Sequence, residues 1–353
     1  MRAVTFQDIG LLSLDEVDRP TIEEAGDVLV RVTTSAICGS DLHILHGRIP
    51  GMAPGGVLGH EFIGVVEEVG AEVTRLREGD RVLASFIVPC GHCWYCARGA
   101  FNRCPDARVF GYGAFFGDLG GGQSEYVRVP NADLCARPLT GGMSDEQALF
   151  AGDIFTTAYD GAVNAEIQPG DSVVVQGCGP VGLMAIQAVR AFRPGVVYAV
   201  DTVASRLEVA AQFGAVPINA SEVHVPTFVQ EQTGERGCDV LLECVGALPA
   251  LTQAIDTVRP GGRIGVIGVY SEPEYEFPIS LVFVKGLDLR FGGTANIVGR
   301  WDEAMRMIAS GEVDPAAIIS HRFPLERALE GYELFEAREA LKVVLSMAEP
   351  GSA

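Results

Sequence analysis

Basic residues are scarce in this sequence. Lysine and arginine number 26 against 46 aspartates and glutamates, a formal net charge of −20. Such a surface repels polyanions, which excludes nucleic acid as a natural partner. Long hydrophobic runs are also missing. No stretch approaches the roughly 18–20 unbroken apolar residues of a membrane span, and Met1–Phe6 runs into Asp8 without the apolar segment of a signal peptide. A cytoplasmic protein with no membrane partner is the expectation. Internal repeats and low-complexity linkers are absent as well.

What remains is the composition of a folded, turn-rich enzyme. Of 353 residues, 48% are hydrophobic and 43 are glycine, which argues against disorder. The length is enough for two domains with cores of their own. Nine cysteines in a reducing compartment suggest metal ligands or packing residues rather than disulfides.

The first ~150 residues read as β-rich, with short apolar runs such as Val28–Val32 and Phe62–Val66 cut by Gly, Pro and Asp. Residues 145–165 look helical. From there strands and helices alternate: Ser172–Gln176, Val181–Phe192, Val196–Val200, Ala204–Phe213, Asp239–Cys244, Leu248–Val258 and Arg263–Val269. This alternation predicts an α/β fold with a parallel, doubly wound sheet. A last helix is expected over Arg300–Ser310.

Within that alternation, Gly177-Cys178-Gly179-Pro180-Val181-Gly182 follows a strand and opens a helix. Glycine spacing alone is also that of an ordinary surface turn. Here Asp201 ends the next strand, about the ~20 residues on at which a ribose-binding acid is expected. Gly177 allows the tight turn, Gly179 lets backbone approach a pyrophosphate, and Gly182 lets helix pack on strand. The helix N-terminus around Pro180 and Val181 then offers free N–H groups to phosphate. Asp201 would accept from the adenosine ribose and repel a 2′-phosphate, favouring NAD over NADP. Arg206, near the same strand end, either touches the ribose or is a solvated helix charge.

Cys90, Cys93, Cys96 and Cys104 are spaced C-x2-C-x2-C-x7-C. Four thiolates this close can close a tetrahedral site around a structural zinc; ferredoxin-type runs are spaced differently. Cys135, Cys178, Cys238 and Cys244 read as small packing residues. Cys38 and His60 are good zinc ligands about twenty residues apart, and a catalytic zinc keeps one position open.

The segment Gly59-His60-Glu61-x2-Gly64-x5-Gly70-x2-Val73 matches the zinc alcohol dehydrogenase signature. With the cysteine lobe and Gly177–Gly182 in order behind it, the chain resembles the zinc-containing medium-chain dehydrogenase/reductase family over essentially its whole length. The resemblance implies a GroES-like barrel domain over 1–152 and 295–353, a six-stranded Rossmann domain over 153–294, and an active site in the cleft. It implies two zincs per subunit and NAD as cofactor. Cys38 and His60 become catalytic zinc ligands. Many relatives supply a further cysteine where this chain has Asp153, which resembles the formaldehyde dehydrogenase-like branch. Glu61 lies beside the metal, within reach of binding it directly, and Asp41 orients His60. More negative charge around zinc than in a Cys-Cys-His set would make it a weaker Lewis acid.

In relatives a hydroxyl at the Ser40 position takes the alcohol proton and passes it through the cofactor ribose to a histidine, here His43. Phe86 resembles a pocket-wall residue, and Phe110, Tyr112, Phe115 and Phe116 would border the same cleft; core packing accounts for them equally well. Lys342 resembles a position where a basic residue meets the pyrophosphate. The implied activity is reversible interconversion of a small-molecule alcohol with its aldehyde or ketone. An aldehyde dismutase with tightly held NAD, a polyol or amino-alcohol dehydrogenase, and a non-catalytic zinc and dinucleotide binder are the competing readings. A homodimer or homotetramer is implied, with an apolar strand such as Ser280–Val284 suited to the pairing edge.

Overall fold

The computed structural model describes residues 1–139, 142–271 and 274–347. The chain divides into two compact units, Met1–Thr156 with Asn296–Ala353, and Thr157–Ala295.

The first unit is built on the strand Val28–Ile37. Antiparallel neighbours flank it, Phe62–Val69 on one side and the C-terminal strand Val343–Ser346 on the other. Register shifts at Leu29/Val30 and Val32/Thr34 bend the sheet, as bulges do. Val28, Val30 and Val32 alternate into a core with Phe62, Val66, Val82, Val127 and Val129, the period-2 burial expected of a sheet with one dry face. The register pairs Val343 with Ile37, so the residues just outside the paired segments, Lys342 and Cys38, are brought to one end of the sheet.

The helical reading of 145–165 is interrupted. Helix Asp145–Leu149 begins at Ser144 with a capping box and gives way to a 3₁₀ turn at Phe150–Gly152. A new helix runs Ile154–Asn164. Asp153 sits at the break with φ −150° and ψ −93°. The interruption is what frees its side chain from a helix face.

The second unit is a six-stranded sheet in the order Val216–Asn219, Val196–Asp201, Ser172–Gln176, Cys238–Glu243, Val258–Val266, Asp288–Phe291. All its pairings are parallel. Ser172–Gln176 is buried along its whole length, which is why it reads as an unbroken β-branched run. The pattern reading passed over the strand Val216–Asn219 and the helix Val225–Gln232. It also took Ser280–Val284 for a strand, and this is corrected: Ile279–Lys285 is a helix, with Pro278 before it and Gly286 left-handed after it. Periodicity cannot separate strand from helix in so short an apolar run. The sheet's edges are Asp288–Phe291 and Val216–Asn219.

Candidate functional site

Cys38 caps the N-terminus of the short helix Gly39–Leu45, and His60 and Glu61 lie just before the strand Phe62–Val69. With Asp153 they form one cluster whose ligand atoms all lie within 4.8 Å of one another. His60 Nε2 is 3.2 Å from Asp153 Oδ2. Two ligand atoms about 2.0–2.1 Å from a tetrahedral zinc stand roughly 3.4 Å apart, so the pair fits one ion. Burial opposes a charged His60, yet Tyr112 and the carboxylates of Asp41 and Asp153 hold it well above its ordinary value.

The other ring nitrogen is oriented as anticipated: His60 Nδ1 lies 3.2 Å from Asp41 Oδ1. Asp41 Oδ2 accepts from Cys38 N at 2.9 Å and Gln123 Nε2 at 3.1 Å. Tyr332 Oη donates to Gln123 Oε1 at 2.7 Å. This buried chain holds the Asp41 carboxylate beside Nδ1, which leaves Nε2 as the ring nitrogen that faces Asp153. Gln123 and Tyr332 carry no motif and escaped sequence reasoning. Only their place behind His60 reveals them.

Ser40 Oγ is 3.3 Å from His60 Nε2. His43 follows on the same short helix. The aromatic residues divide. Phe86 and Tyr112 stand edge-on to His60, at 6.1 and 5.3 Å between ring centroids, and Phe116 packs on Tyr112 at 5.4 Å. Phe115 is exposed beside Phe116. Phe110 is fully buried against Phe62 and belongs to the core, the second of its two readings. Lys342 is likewise corrected. It is fully buried with Nζ 2.6 Å from Glu61 Oε2, which leaves it no surface for a pyrophosphate.

The four lobe cysteines form a second set with ligand atoms within 4.8 Å of one another. Cys93 and Cys96 Sγ are 3.5 Å apart, near the roughly 3.8 Å of two thiolates on one tetrahedral zinc. The backbone N–H of Cys96 donates to Cys93 and lowers its thiol to about 7, toward the thiolate that metals bind.

In the second unit, Gly177 has φ +91°, and a Cβ on Gly182 would lie 1.7 Å from Gly177 O. Helix Pro180–Ala188 has no side-chain cap, so its first amides are open to an anion. Asp201 Oδ2 accepts from Cys178 N at 2.7 Å, and Oδ1 from Thr202 N and Val203 N at 2.7 and 2.9 Å. Arg206 lies 3.9 Å from Asp201.

Residues 24–139 match the alcohol dehydrogenase GroES-like domain, and residues 180–310 the zinc-binding dehydrogenase domain. The uncharacterized zinc-type alcohol dehydrogenase-like protein AdhB of Bacillus subtilis is 35% identical, over 98% of this chain and 100% of its own. The chain belongs to the zinc-type alcohol dehydrogenases of the medium-chain dehydrogenase/reductase family. Alcohol dehydrogenase TADH from Thermus sp. ATN1 superposes with a TM-score of 0.94 at 45% identity, over 99% of this chain and 100% of that one. A putative zinc-binding dehydrogenase from Sinorhizobium meliloti, solved with NADP, gives 0.86 at 27% identity over 98% of each chain.

This dehydrogenase is thus a zinc-dependent alcohol oxidoreductase, with a GroES-like domain and a Rossmann-like nicotinamide dinucleotide domain. These relatives favour neither an aldehyde dismutase nor a non-catalytic binder. Among the described residues no helix is long and apolar enough to cross a membrane.

Proposed function

We propose that Cys38, His60 and Asp153 hold the catalytic zinc with Glu61 alongside, and that Cys90, Cys93, Cys96 and Cys104 hold a second, structural zinc. The observation that carries this is the 3.2 Å approach of His60 Nε2 to Asp153 Oδ2 within the Cys38–His60–Glu61–Asp153 cluster. The carboxylate at Asp153 supports the formaldehyde dehydrogenase-like branch. Bound there, zinc supplies Lewis-acid polarisation of the substrate oxygen.

This chain's residues do the rest. Ser40, with Oγ 3.3 Å from His60 Nε2, receives the alcohol proton, and His43 on the same helix passes it outward. Phe86, Tyr112 and Phe116 line the substrate side of His60 and favour small apolar or aromatic alcohols. Gly177, Gly179, Pro180, Val181 and Gly182 hold the pyrophosphate, and Asp201 selects NAD over NADP by repelling a 2′-phosphate. Three backbone donors already fix that carboxylate in place. Arg206 neutralises part of its charge.

The catalytic domain is 1–152 with 295–353, and the NAD domain 153–294. The free edge strand Asp288–Phe291 and the helix beside it, with Phe283 and Val284 largely exposed, support a homodimer or homotetramer in which second-domain edges pair. Reduced cysteines suit a cytoplasmic setting.

The test is elemental analysis of metal-replete protein beside Cys38→Ser, with alcohol-dependent reduction of NAD as the activity. The variant is expected to lose one of two zincs and turnover while still binding NAD. Full zinc content and activity in Cys38→Ser would overturn the assignment.

A further inference from the structure

The second unit contains a buried carboxyl group for which neither the metal cluster nor the glycine turn has a use. Glu243 is fully buried at the carboxyl end of the strand Cys238–Glu243, registered with Gln176 on one side and Val266 on the other. Its Oε1 accepts from Val245 N at 2.7 Å and Gly246 N at 3.0 Å. Its Oε2 accepts from Tyr270 Oη at 2.8 Å. Its main-chain oxygen accepts from Ile267 N and Gly268 N at 2.8 and 2.9 Å. One residue thus ties together the loops that follow two adjacent strands. Burial raises this carboxyl, and the opposing influences are those neutral donors. A buried acid held only by neutral donors is costly, so the geometry it imposes needs a use.

Its place in the sheet suggests one. From Ser172–Gln176 the chain adds strands outward through Val196–Asp201 and Val216–Asn219, then returns to the other side of Ser172–Gln176 with Cys238–Glu243. Open α/β sheets bind ligands at this reversal, outside the carboxyl ends of the strands. Each tied loop also carries an apolar side chain facing solvent there: Val245 is 51% exposed and Val269 56%. Val245 Cγ2 lies 2.7 Å from where a Cβ on Gly177 would stand, so the first loop borders the phosphate-binding turn itself.

The geometry points to Glu243 and Tyr270 as a positioning pair for the cofactor. They hold the loops 244–247 and 267–270 so that Val245 and Val269 present one apolar face to the ring-bearing half of the dinucleotide. The adenosine half is held separately, by the glycine turn and Asp201. This inference rests on the dinucleotide reading of the second unit.

The experiment is calorimetric titration of the full-length protein with NAD and with AMP, which lacks the ring-bearing half, alongside melting of the ligand-free protein. Tyr270→Phe keeps the ring packing and removes only the hydroxyl. Because the hydrogen bond is to a charged group, its loss is expected to weaken NAD about tenfold and to leave AMP within about twofold. Glu243→Ala should show the same split more strongly. If that variant does not fold, Tyr270→Phe carries the test alone. NAD affinity unchanged in Tyr270→Phe, or NAD and AMP weakened in step, would overturn the positioning role. Wild-type protein that binds neither NAD nor AMP would instead remove the dinucleotide reading, and the proposal with it.

Discussion

The ammonium of Lys342 lies 2.6 Å from the carboxylate of Glu61, and both side chains are fully buried beside the Cys38–His60–Asp153 cluster. Burial opposes charge on the lysine, but Glu61, with Cys38 and Asp153 also near, holds Lys342 above its ordinary value. The lysine thereby offsets a carboxylate that would otherwise add a third negative charge to the proposed metal site.

Lys342→Met should therefore cost about 3–5 kcal/mol of stability, because Glu61 is left as an uncompensated buried charge. The double variant Lys342→Met/Glu61→Gln should recover most of that loss. Denaturant unfolding of the wild type, both single variants and the double variant measures the coupling. Additive losses would mean that the pair does not act as a unit.

Ser40→Ala should lower kcat by about a hundredfold or more, the usual reach of a positioned proton acceptor, with melting temperature nearly unchanged. Ser40→Thr, which restores a hydroxyl, should regain most of the activity. An alanine variant with wild-type kcat would take Ser40 out of the proton path.

Removal of the lobe metal should act on stability first. Cys96→Ser is expected to lower zinc content from two ions per chain to one and to shorten the half-life at elevated temperature, since metal binding at such a site is coupled to folding. Elemental analysis and timed heat inactivation check both. Unchanged zinc content would show that the four cysteines do not share an ion.

Asp201→Ala should shift the ratio of kcat/KM for NADP over NAD upward by about tenfold or more, because the carboxylate proposed to repel a 2′-phosphate is gone. NAD affinity should fall as well, since the Asp201 carboxylate also anchors Cys178 N in the glycine turn. Steady-state kinetics with both cofactors separates the two effects.

At acid pH the second unit should weaken through Asp239. Burial opposes its ionisation, but Arg259 and Ser172 bind the carboxylate and hold it at about 2, below the ordinary 3.8. A depressed folded value means that the contribution is complete above the unfolded value and is lost as pH falls toward 2. The melting temperature of Asp239→Asn should lie below wild type at neutral pH, and the gap should narrow as pH drops from about 4 to about 2. A gap independent of pH would place the loss elsewhere.

Local chemistry made much of this protein legible from its residues alone. The glycine turn could be read because the steric demands of Gly177 and Gly182 are local, and the clustering of the four lobe cysteines because they lie within fifteen residues. The alternating strands and helices of the second unit could be read because buried parallel strands advertise themselves as β-branched runs. Short elements were less legible. Ser280–Val284 has the same apolar pattern whether strand or helix, and its flanking Pro278 and Gly286 decided between them.

What only the tertiary structure decided were relationships across large separations in sequence. The pairing of Val343 with Ile37 carries Lys342 to Glu61. The break at Asp153 turns its carboxylate onto His60. Gln123 and Tyr332 meet behind Asp41, and Glu243 meets Tyr270. None of these side chains announces its partner, because a buried charge or hydroxyl finds one by where strands and loops bring it, not by its neighbours in the chain.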